Sequence, residues 1–592
     1  MEQDKSIEQN FGYYYQPNNQ VNQKKEPKIT LAKRDLIFAF VFFAVGFLIV
    51  DFVFFHGFNL GFTIAFFVLF ISVTAYLFDT KNKTSLFSYV CGAMSLAGAV
   101  TFSLYNDFLV NSIMVFLVCA LFGIYVCGIS GSFTHNQGSY RMLVDLLKNT
   151  FVSPFSNAAD ITGAYGKVMS KNKVSKNVII GIALALPVLL VIIPLLAGSD
   201  AAFENLVKIV LKNIGSYLLE AILAVIITPF IILYAVSKKC KSDSLSSAKS
   251  KGKGVIQSPV TVSFLSVISV TYIVYLFSQL AYFFSAFSGI LPENYSYSAS
   301  VYARRGFFEM FAICVINMII IALANILTKR VKGKIPIAVK AISAFILTFT
   351  VLILVTAMAK MKLNIEIFGL SKNRLLVSVF MIMIFVIIVF YIIHIFLPKV
   401  SYMQPIIIIC SAMFIALSFS DIDGMVAKYN IDAYTSGKID SIDLEYINNL
   451  SDSSLVYITE LADSDNHMVS REARMIINRN LERNYHSDIF NNDTEKQNIR
   501  YKNNTDFREY NYSKGRGEKA LIEYYNSLSA EGREKLISQY ELDFGDYYYD
   551  EERDVYESYS GDYCTEYAYD EKKDDYVFSH RYNIYDGLDE QV

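Results

Sequence analysis

The chain has 592 residues, of which 53% are hydrophobic and 18% charged, and its mean hydropathy is +0.35. This composition excludes an ordinary soluble enzyme. The net charge of −2 conceals an asymmetry, because residues 421–592 contain 19 Lys and Arg against 38 Asp and Glu, whereas residues 1–420 contain 34 against 17. We therefore expect two parts that occupy different environments.

The first part predicts an all-α polytopic membrane protein. Residues 1–35 are polar, which predicts a disordered arm. The apolar runs after it mostly reach the ~20 residues that a helix needs to cross about 30 Å of hydrocarbon. We predict about eleven transmembrane helices, at 36–55, 60–78, 86–104, 108–129, 178–197, 217–236, 262–285, 307–328, 337–359, 375–397 and 404–420.

The loops between these runs predict an orientation. If the N-terminus is cytoplasmic, most Lys and Arg of the loops fall on the cytoplasmic side, as the positive-inside rule requires. After eleven crossings the acidic C-terminal region is extracytoplasmic. A count that is wrong by one would move it to the cytoplasm.

The chain after the fourth run divides into a loop, a transmembrane core, a helical domain and a C-terminal segment. Residues 130–177 predict a basic cytoplasmic loop with an interfacial helix at 140–152, and 203–214 predict a second interfacial helix. We interpret 178–420 as the transmembrane core with helices 5–11. Residues 421–540 predict an extramembrane helical domain, and the acidic, Tyr-rich residues 541–592 predict either a strand-rich module or a solvated tail.

Four ionisable residues lie within or beside apolar runs: Asp51, Glu220, Lys340 and His394. Because each lies toward the end of its run, we interpret them as structural more readily than as a proton or ion relay. Prolines interrupt the fifth and sixth runs, a pattern that some transporters use to build a binding site.

The most distinctive stretch is Tyr302–Glu309, which enters the eighth run from the predicted outer face. The guanidiniums of Arg304 and Arg305 can bind phosphate or carboxylate through paired hydrogen bonds, and Glu309 can pair with Arg305 at helical spacing. The alternative is an interface anchor, with Arg at lipid headgroups and Phe in lipid.

This stretch is similar to the signature of a bacterial family of multi-pass membrane proteins of unknown function, Tyr-Ala-Arg-x-Gly-Phe-Phe. The similarity covers about residues 180–465, although family members more often have Arg where Lys428 stands. The resemblance brings no established activity, ligand or catalytic residue. We expect a multi-pass protein of the bacterial plasma membrane. Further residues that carry it are Gln279, Tyr282, Met361, Gly369, Leu370, Ser371, Arg374, Asp423, Ala427, Tyr429, Asn430 and Asp440.

In the predicted topology, the polar residues of this similarity gather near the outer surface. We expect them to line an outward-facing polar pocket that binds an anionic ligand. The candidate ligand-binding residues are Arg304, Arg305, Glu309, Gln279, Tyr282, Arg374 and Lys428, and nearby polar residues are Asp200, Glu204, Lys360 and Asp423.

The sequence therefore favours a binding or regulatory protein of the bacterial cell envelope. The alternatives are a secondary transporter, or a membrane enzyme that acts on a lipid-linked substrate with Asp200, Glu204 or Glu309 as acid or base. We expect the lipid bilayer as a partner, with an anionic lipid headgroup or an envelope component as ligand. No catalytic set, cofactor motif, metal-ligand spacing or nucleic-acid-binding pattern is evident in the sequence.

Overall fold

The computed structural model describes residues 31–78, 84–171, 201–239, 255–288, 307–331, 334–398, 400–489, 506–536, 548–550, 555–560, 563–570 and 575–583. Long apolar helices fill most of this part of the chain. A domain of shorter helices and one small sheet follow them. The predicted N-terminal arm, residues 1–35, lies largely outside the described residues.

The first four apolar runs form four helices. Glycines allow α3 and α4 to pack closely, since a Cβ added at Gly92 would lie 2.7 Å from the Tyr125 ring. The first helix continues without a break into a π-helical turn, Val50–Phe55. The four helices are α1 (Lys33–Ile49), α2 (Leu60–Leu77), α3 (Leu86–Val100) and α4 (Phe108–Ile129).

Short helices follow α4. The predicted interfacial segment 140–152 forms α5 and a π-helical turn, and exposes Leu143, Leu147 and Phe151. An apolar surface of this kind suits the boundary between lipid and water. The short helices are α5 (Arg141–Leu147), α6 (Ser153–Ser156) and α7 (Ala158–Lys171).

Six long helices complete the membrane part. The predicted interfacial helix 203–214 is not a separate element, because it is the first part of the 39-residue helix α8. The helices are α8 (Ala201–Lys239), α9 (Ser258–Ser288), α10 (Phe307–Leu327), α11 (Ile337–Phe368), α12 (Lys372–Phe396) and α13 (Met403–Phe419).

The described residues confirm the helical membrane class but not the count of eleven. Nine helices are long and apolar enough to cross a membrane, or ten if α13 and the helix after it form one broken span. The predicted run 178–197 lies outside the described residues. Helix α13 has 17 residues and meets the next helix at a bend of 65°.

The helix ends lie on two opposite faces. At one face, which we call the basic face, Asp35 accepts a hydrogen bond from Tyr76 (2.9 Å) and pairs with Lys239 (2.5 Å), so the ends of α1, α2 and α8 meet there. The other ends of α1, α4, α12 and α13 carry Asp51, Asp107, Lys372 and Asp421. We call this second face the domain face, because the C-terminal domain packs on it.

The helical domain has its own apolar core. Leu444, Ile447, Leu455, Ile458 and Leu461, the residues predicted to form its apolar face, are all buried. Residues from the later helices complete the core, and the last helical segment is 530–536. The named helices are α14 (Ile422–Thr435), α15 (Leu444–Asn448), α16 (Leu455–Ile458), α17 (His467–Ile489) and α18 (Tyr512–Ser527).

The Tyr-rich end is a strand-rich module. Its four antiparallel strands are arranged in chain order. Arg471 of α17 lies 3.3 Å above the Tyr549 ring and donates hydrogen bonds to the Tyr556 hydroxyl, which attaches the sheet to the helical domain. The strands are β1 (Tyr548–Asp550), β2 (Val555–Ser560), β3 (Tyr563–Asp570) and β4 (Asp575–Asn583).

Candidate functional site

The loop between α11 and α12 is held by the first helix of the domain. Gly369 has a φ of +73°, a conformation that favours glycine. The Leu370 N–H donates to Asn430 Oδ1 (2.8 Å), and Asn430 Nδ2 donates to the carbonyls of Leu370 (2.7 Å) and Val426 (3.0 Å). One buried Asn side chain therefore fixes the loop against α14.

Two further residues shape the same loop. The Ser371 hydroxyl caps α12 by accepting the N–H of Arg374. Arg374 Nη1 donates to the carbonyls of Phe368 (3.1 Å) and Gly369 (2.5 Å), and its guanidinium lies over the Phe368 ring. These hydrogen bonds satisfy carbonyls at the end of α11.

Lys372 joins two parts of the membrane domain to the helical domain. Its Nζ lies 2.9 Å from a carboxylate oxygen of Asp107 at the start of α4, and 2.9 Å from one of Asp423 on α14. Both carboxylates are buried. Burial raises the pKa of Asp423, although Lys372 acts in the opposite direction. The Ser451 N–H donates to the second oxygen of Asp423.

A second set of contacts docks the segment before α18. The Tyr510 carbonyl accepts the Leu60 N–H (3.2 Å), and the Leu104 carbonyl accepts the Ser513 N–H (2.9 Å). Arg516 pairs with Asp421 at 3.0 Å. Burial lowers the pKa of Arg516, but its hydrogen bond to Tyr457 and the charges of Tyr457 and Asp421 outweigh burial, so the net pKa is raised. The domain is thus bonded to the ends of several membrane helices.

Among the predicted ligand-binding residues, Glu309 is exposed near the start of α10. Lys360 on α11 is 6% exposed, and Glu309 is the charge that acts on it. The structure therefore brings Lys360 and Glu309 into the same region. Lys428 is exposed on α14. Arg374 donates hydrogen bonds to carbonyls of the loop between α11 and α12.

The side chains of the remaining predicted residues lie outside the part of the chain that the structure describes. Gln279 and Tyr282 lie on α9, and Glu204 lies on α8, but the side chains of these three residues are outside the described set. Arg304, Arg305 and Asp200 lie outside the described residues altogether.

Sequence reasoning missed the roles of Lys372 and Asp107. Asp107 caps α4 by accepting the N–H groups of Leu109 and Val110, and its place between two apolar runs is a signal for this role. Lys372 follows the capping Ser371 but gives no sequence signal of its carboxylate partners, which are distant in the chain.

The described residues contain no group of three or more His, Cys, Asp or Glu that could hold a metal ion. We call the contacts of Leu370 with Asn430 and of Lys372 with Asp107 and Asp423, and the turn at Gly369 and Ser371 that Arg374 holds, the joint. Within the same ranges, the joint consists of ion pairs, hydrogen bonds and capped helix ends. A buried ion pair can fix a geometry without adding net stability. The arrangement is suited to keeping the helical domain in one position on the membrane helices.

Fold and joint together define a multi-pass α-helical membrane protein with a helical domain docked on one face. The chain belongs to the family described as a domain of unknown function, DUF4153, whose family profile matches residues 37–461. The match begins upstream of residue 180, so it includes the first four helices as well as the region of predicted resemblance. No curated protein matches the chain, and no solved structure matches it.

Proposed function

We propose that the protein is a binding and regulatory protein of the bacterial cell envelope. In this proposal an outward-facing polar pocket takes an anionic group, such as the phosphate of a lipid headgroup, and the docked helical domain responds to it. Arg304, Arg305, Gln279 and Tyr282 contribute to the pocket on sequence grounds, and Glu309 and Lys360 on structural grounds.

The observation that carries the proposal is the burial of Lys360. A charged ammonium 6% exposed in an apolar helix is costly unless nearby groups stabilise it, and Glu309 is the neighbour whose charge acts on it. An intramembrane cation is a binding-site hypothesis by default. Lys362, two residues further along α11, is 79% exposed and forms an ordinary i,i+4 pair with Glu366.

The joint supports a regulatory role. Lys360 lies on the same helix as Phe368, about two turns from its end. That end is bonded through Gly369 and Leu370 to Asn430 of the helical domain. A shift of α11 on ligand binding would therefore act directly on α14, because the two elements share hydrogen bonds.

The test is a lipid titration of the purified protein. We expect short-chain phosphatidylglycerol to raise the melting temperature more than short-chain phosphatidylcholine does. Lys360→Gln removes most of this difference, because the anion loses its buried cation. Lys362→Gln retains it, which makes this variant the matched control for charge and helix.

The sequence-derived part is tested by Arg304→Gln with Arg305→Gln. We expect this double variant to lose the lipid effect while the amount of folded protein is unchanged. Equal lipid effects in wild type and Lys360→Gln would contradict the proposed pocket. Concentrative uptake of inorganic phosphate by vesicles that contain the protein would favour the transporter instead.

A further inference from the structure

The domain-face end of the first membrane helix has an unusual backbone and carries ionisable groups. Residues Val50–Phe55 form a π-helical turn, a conformation that is rare and occurs often at functional sites. Asp51 lies within this turn. His56 follows it, with Nδ1 2.8 Å from the Asp51 carbonyl and 3.6 Å from an Asp51 carboxylate oxygen.

The helical domain supplies a cation to this end. Arg508 Nη1 lies 2.6 Å from Asp51 Oδ1, and Nε and Nη2 of the same guanidinium donate to Asp506 Oδ1 (3.0 Å) and Oδ2 (2.5 Å). Beside it the Phe507 ring packs edge-on against Phe52, with the ring centroids 6.0 Å apart. The segment 506–508 therefore closes over the end of α1.

Glu220 faces the same place from helix α8. Its side chain is 4% exposed, and Oε2 has no hydrogen-bond partner among the residues that the structure describes. The charged and titratable groups that act on it are Asp51 and His56 from the end of α1 and Arg508 from the domain. Lys239 and Asp35 lie at the opposite ends of the same two helices.

Electrostatics decides which state of Glu220 this site accommodates. A buried, ionised carboxylate with an oxygen that has no hydrogen-bond partner is strongly unfavourable, whereas the neutral acid is much less so. Arg508 is already engaged by Asp51 and Asp506, so their negative charges offset most of its field at Glu220. The neutral form is therefore favoured while the segment 506–508 is docked.

We propose that Glu220 is a proton-binding site that is coupled to the docking of residues 506–508, with the ion pair of Asp51 and Arg508 beside it. Docking takes up one proton on Glu220, and undocking exposes this carboxyl to water and releases the proton. The ligand is the proton itself. The site is separate from the proposed anion pocket and does not depend on it.

The absence of Trp from the chain provides a sharp test. In Phe507→Trp the introduced side chain is the only Trp and reports whether the segment lies against Phe52. We titrate the purified, full-length variant from about pH 5 to about pH 9, a range that brackets the pKa of buried carboxyl groups. We expect the emission to shift to longer wavelength as pH rises, with the slope of a single proton.

Two further variants assign the proton. Glu220→Gln in the Phe507→Trp background mimics the protonated acid, so we expect its emission to remain in the docked form across the range. His56→Gln in the same background retains the transition. The carbonyl stretch of a protonated carboxylic acid, seen by infrared difference spectroscopy in the docked state, is lost in Glu220→Gln.

Three results would overturn the proposal. The first is a pH transition that persists unchanged in Glu220→Gln. The second is a transition that is lost in His56→Gln, which would make the imidazole the titrating group. The third is emission that does not depend on pH in the parent Phe507→Trp protein.

Discussion

Lys372 illustrates how much of the architecture depends on single side chains. It stands at the start of α12, yet its ammonium lies between a carboxylate of the membrane part and one of the helical domain. Two buried carboxylates so close together repel one another unless a cation lies between them. This one charge therefore helps to hold α14 on the membrane helices, beside the hydrogen bonds of Asn430 to Leu370.

Replacing Lys372 by Met tests this role. Removal of one partner leaves Asp107 and Asp423 buried without a cation, and the typical cost of such a change is about 3 kcal/mol. We expect a loss of that order in the free energy of unfolding, measured in detergent micelles. Lys438→Met, at an exposed position of the domain, is the control. Equal losses in the two variants would show that Lys372 has no special role.

Asp145 predicts a pH dependence at the basic face. It is buried and accepts hydrogen bonds from the N–H and side chain of both Thr134 and His135. Burial raises the pKa of Asp145, but these hydrogen bonds lower it by a larger amount. The net pKa therefore lies below the ordinary value. Its stabilising contribution is therefore present above the ordinary pKa of Asp and is lost as pH falls through the lowered value.

The measurement is the melting temperature as a function of pH for wild type and Asp145→Asn. We expect wild type to be more stable at neutral pH, and the difference between the two proteins to shrink below about pH 4, where carboxylates protonate. A difference that is constant down to the lowest pH would mean that the ionised form of Asp145 does not stabilise the loop.

At the scale of elements, hydropathy predicts most of the fold, and contacts between distant residues account for what it misses. Continuous apolar runs predict membrane helices because backbone groups in lipid must bond within their own segment. The same pattern could not show that 203–214 continues into α8, since an amphipathic stretch is compatible with either outcome. Nor could it choose between a sheet and a tail for 541–592, where the antiparallel pairing of β2, β3 and β4 forms a sheet.

The packing of α1 on α8 gives an element-scale prediction. A Cβ at Gly46 would overlap Thr228 Oγ1, so Gly46→Ala forces the helices apart and destabilises the protein by about 1–3 kcal/mol, as overpacking typically does. Thr228→Ala in the same protein restores stability, because the Thr228 Cβ lies at an ordinary contact distance of 3.5 Å.

Gly166→Ala is the matched control for this experiment. A Cβ at Gly166 on α7 has no neighbour within 4 Å among the described atoms, and Ala is the better helix former. We expect this variant to be at least as stable as wild type. A Gly46→Ala protein that melts at the same temperature as Gly166→Ala would contradict the close packing of α1 on α8.

For the whole molecule, the family match divides the docking contacts into two sets. Lys372, Asp107 and Asp423 all lie within residues 37–461, as do Asn430 and Leu370. Arg508 and Arg516 lie beyond the match, although their partners Asp51 and Asp421 lie within it. The joint at Lys372 is thus built from family residues alone, whereas the second set of contacts needs the C-terminal extension.

The candidate site was only partly predictable from the sequence, because its contacts join residues that are distant in the chain. The similarity pointed to Gly369, Ser371, Arg374, Asp423 and Asn430, and all five contribute to the joint. For Arg374 and Asp423 the sequence context predicted a ligand pocket, because a polar residue at a helix end gives the same signal whether it binds a ligand or a neighbouring backbone. Only the three-dimensional contacts separate these roles.

The proposed function requires that the helical domain, which is docked on the face opposite the basic face, lies outside the cytoplasm. Native thiols cannot test it well, because Cys564 is fully buried. We therefore place Cys at Lys438 in the domain and, separately, at Arg330 on the basic face, both exposed positions. Intact cells are then treated with a membrane-impermeant thiol reagent, with wild type as background.

The account predicts that Lys438→Cys is labelled in intact cells, and that Arg330→Cys is labelled only after the membrane is permeabilised. Labelling of Arg330→Cys in intact cells, with Lys438→Cys protected until permeabilisation, would place the domain in the cytoplasm and contradict the proposed outward-facing pocket.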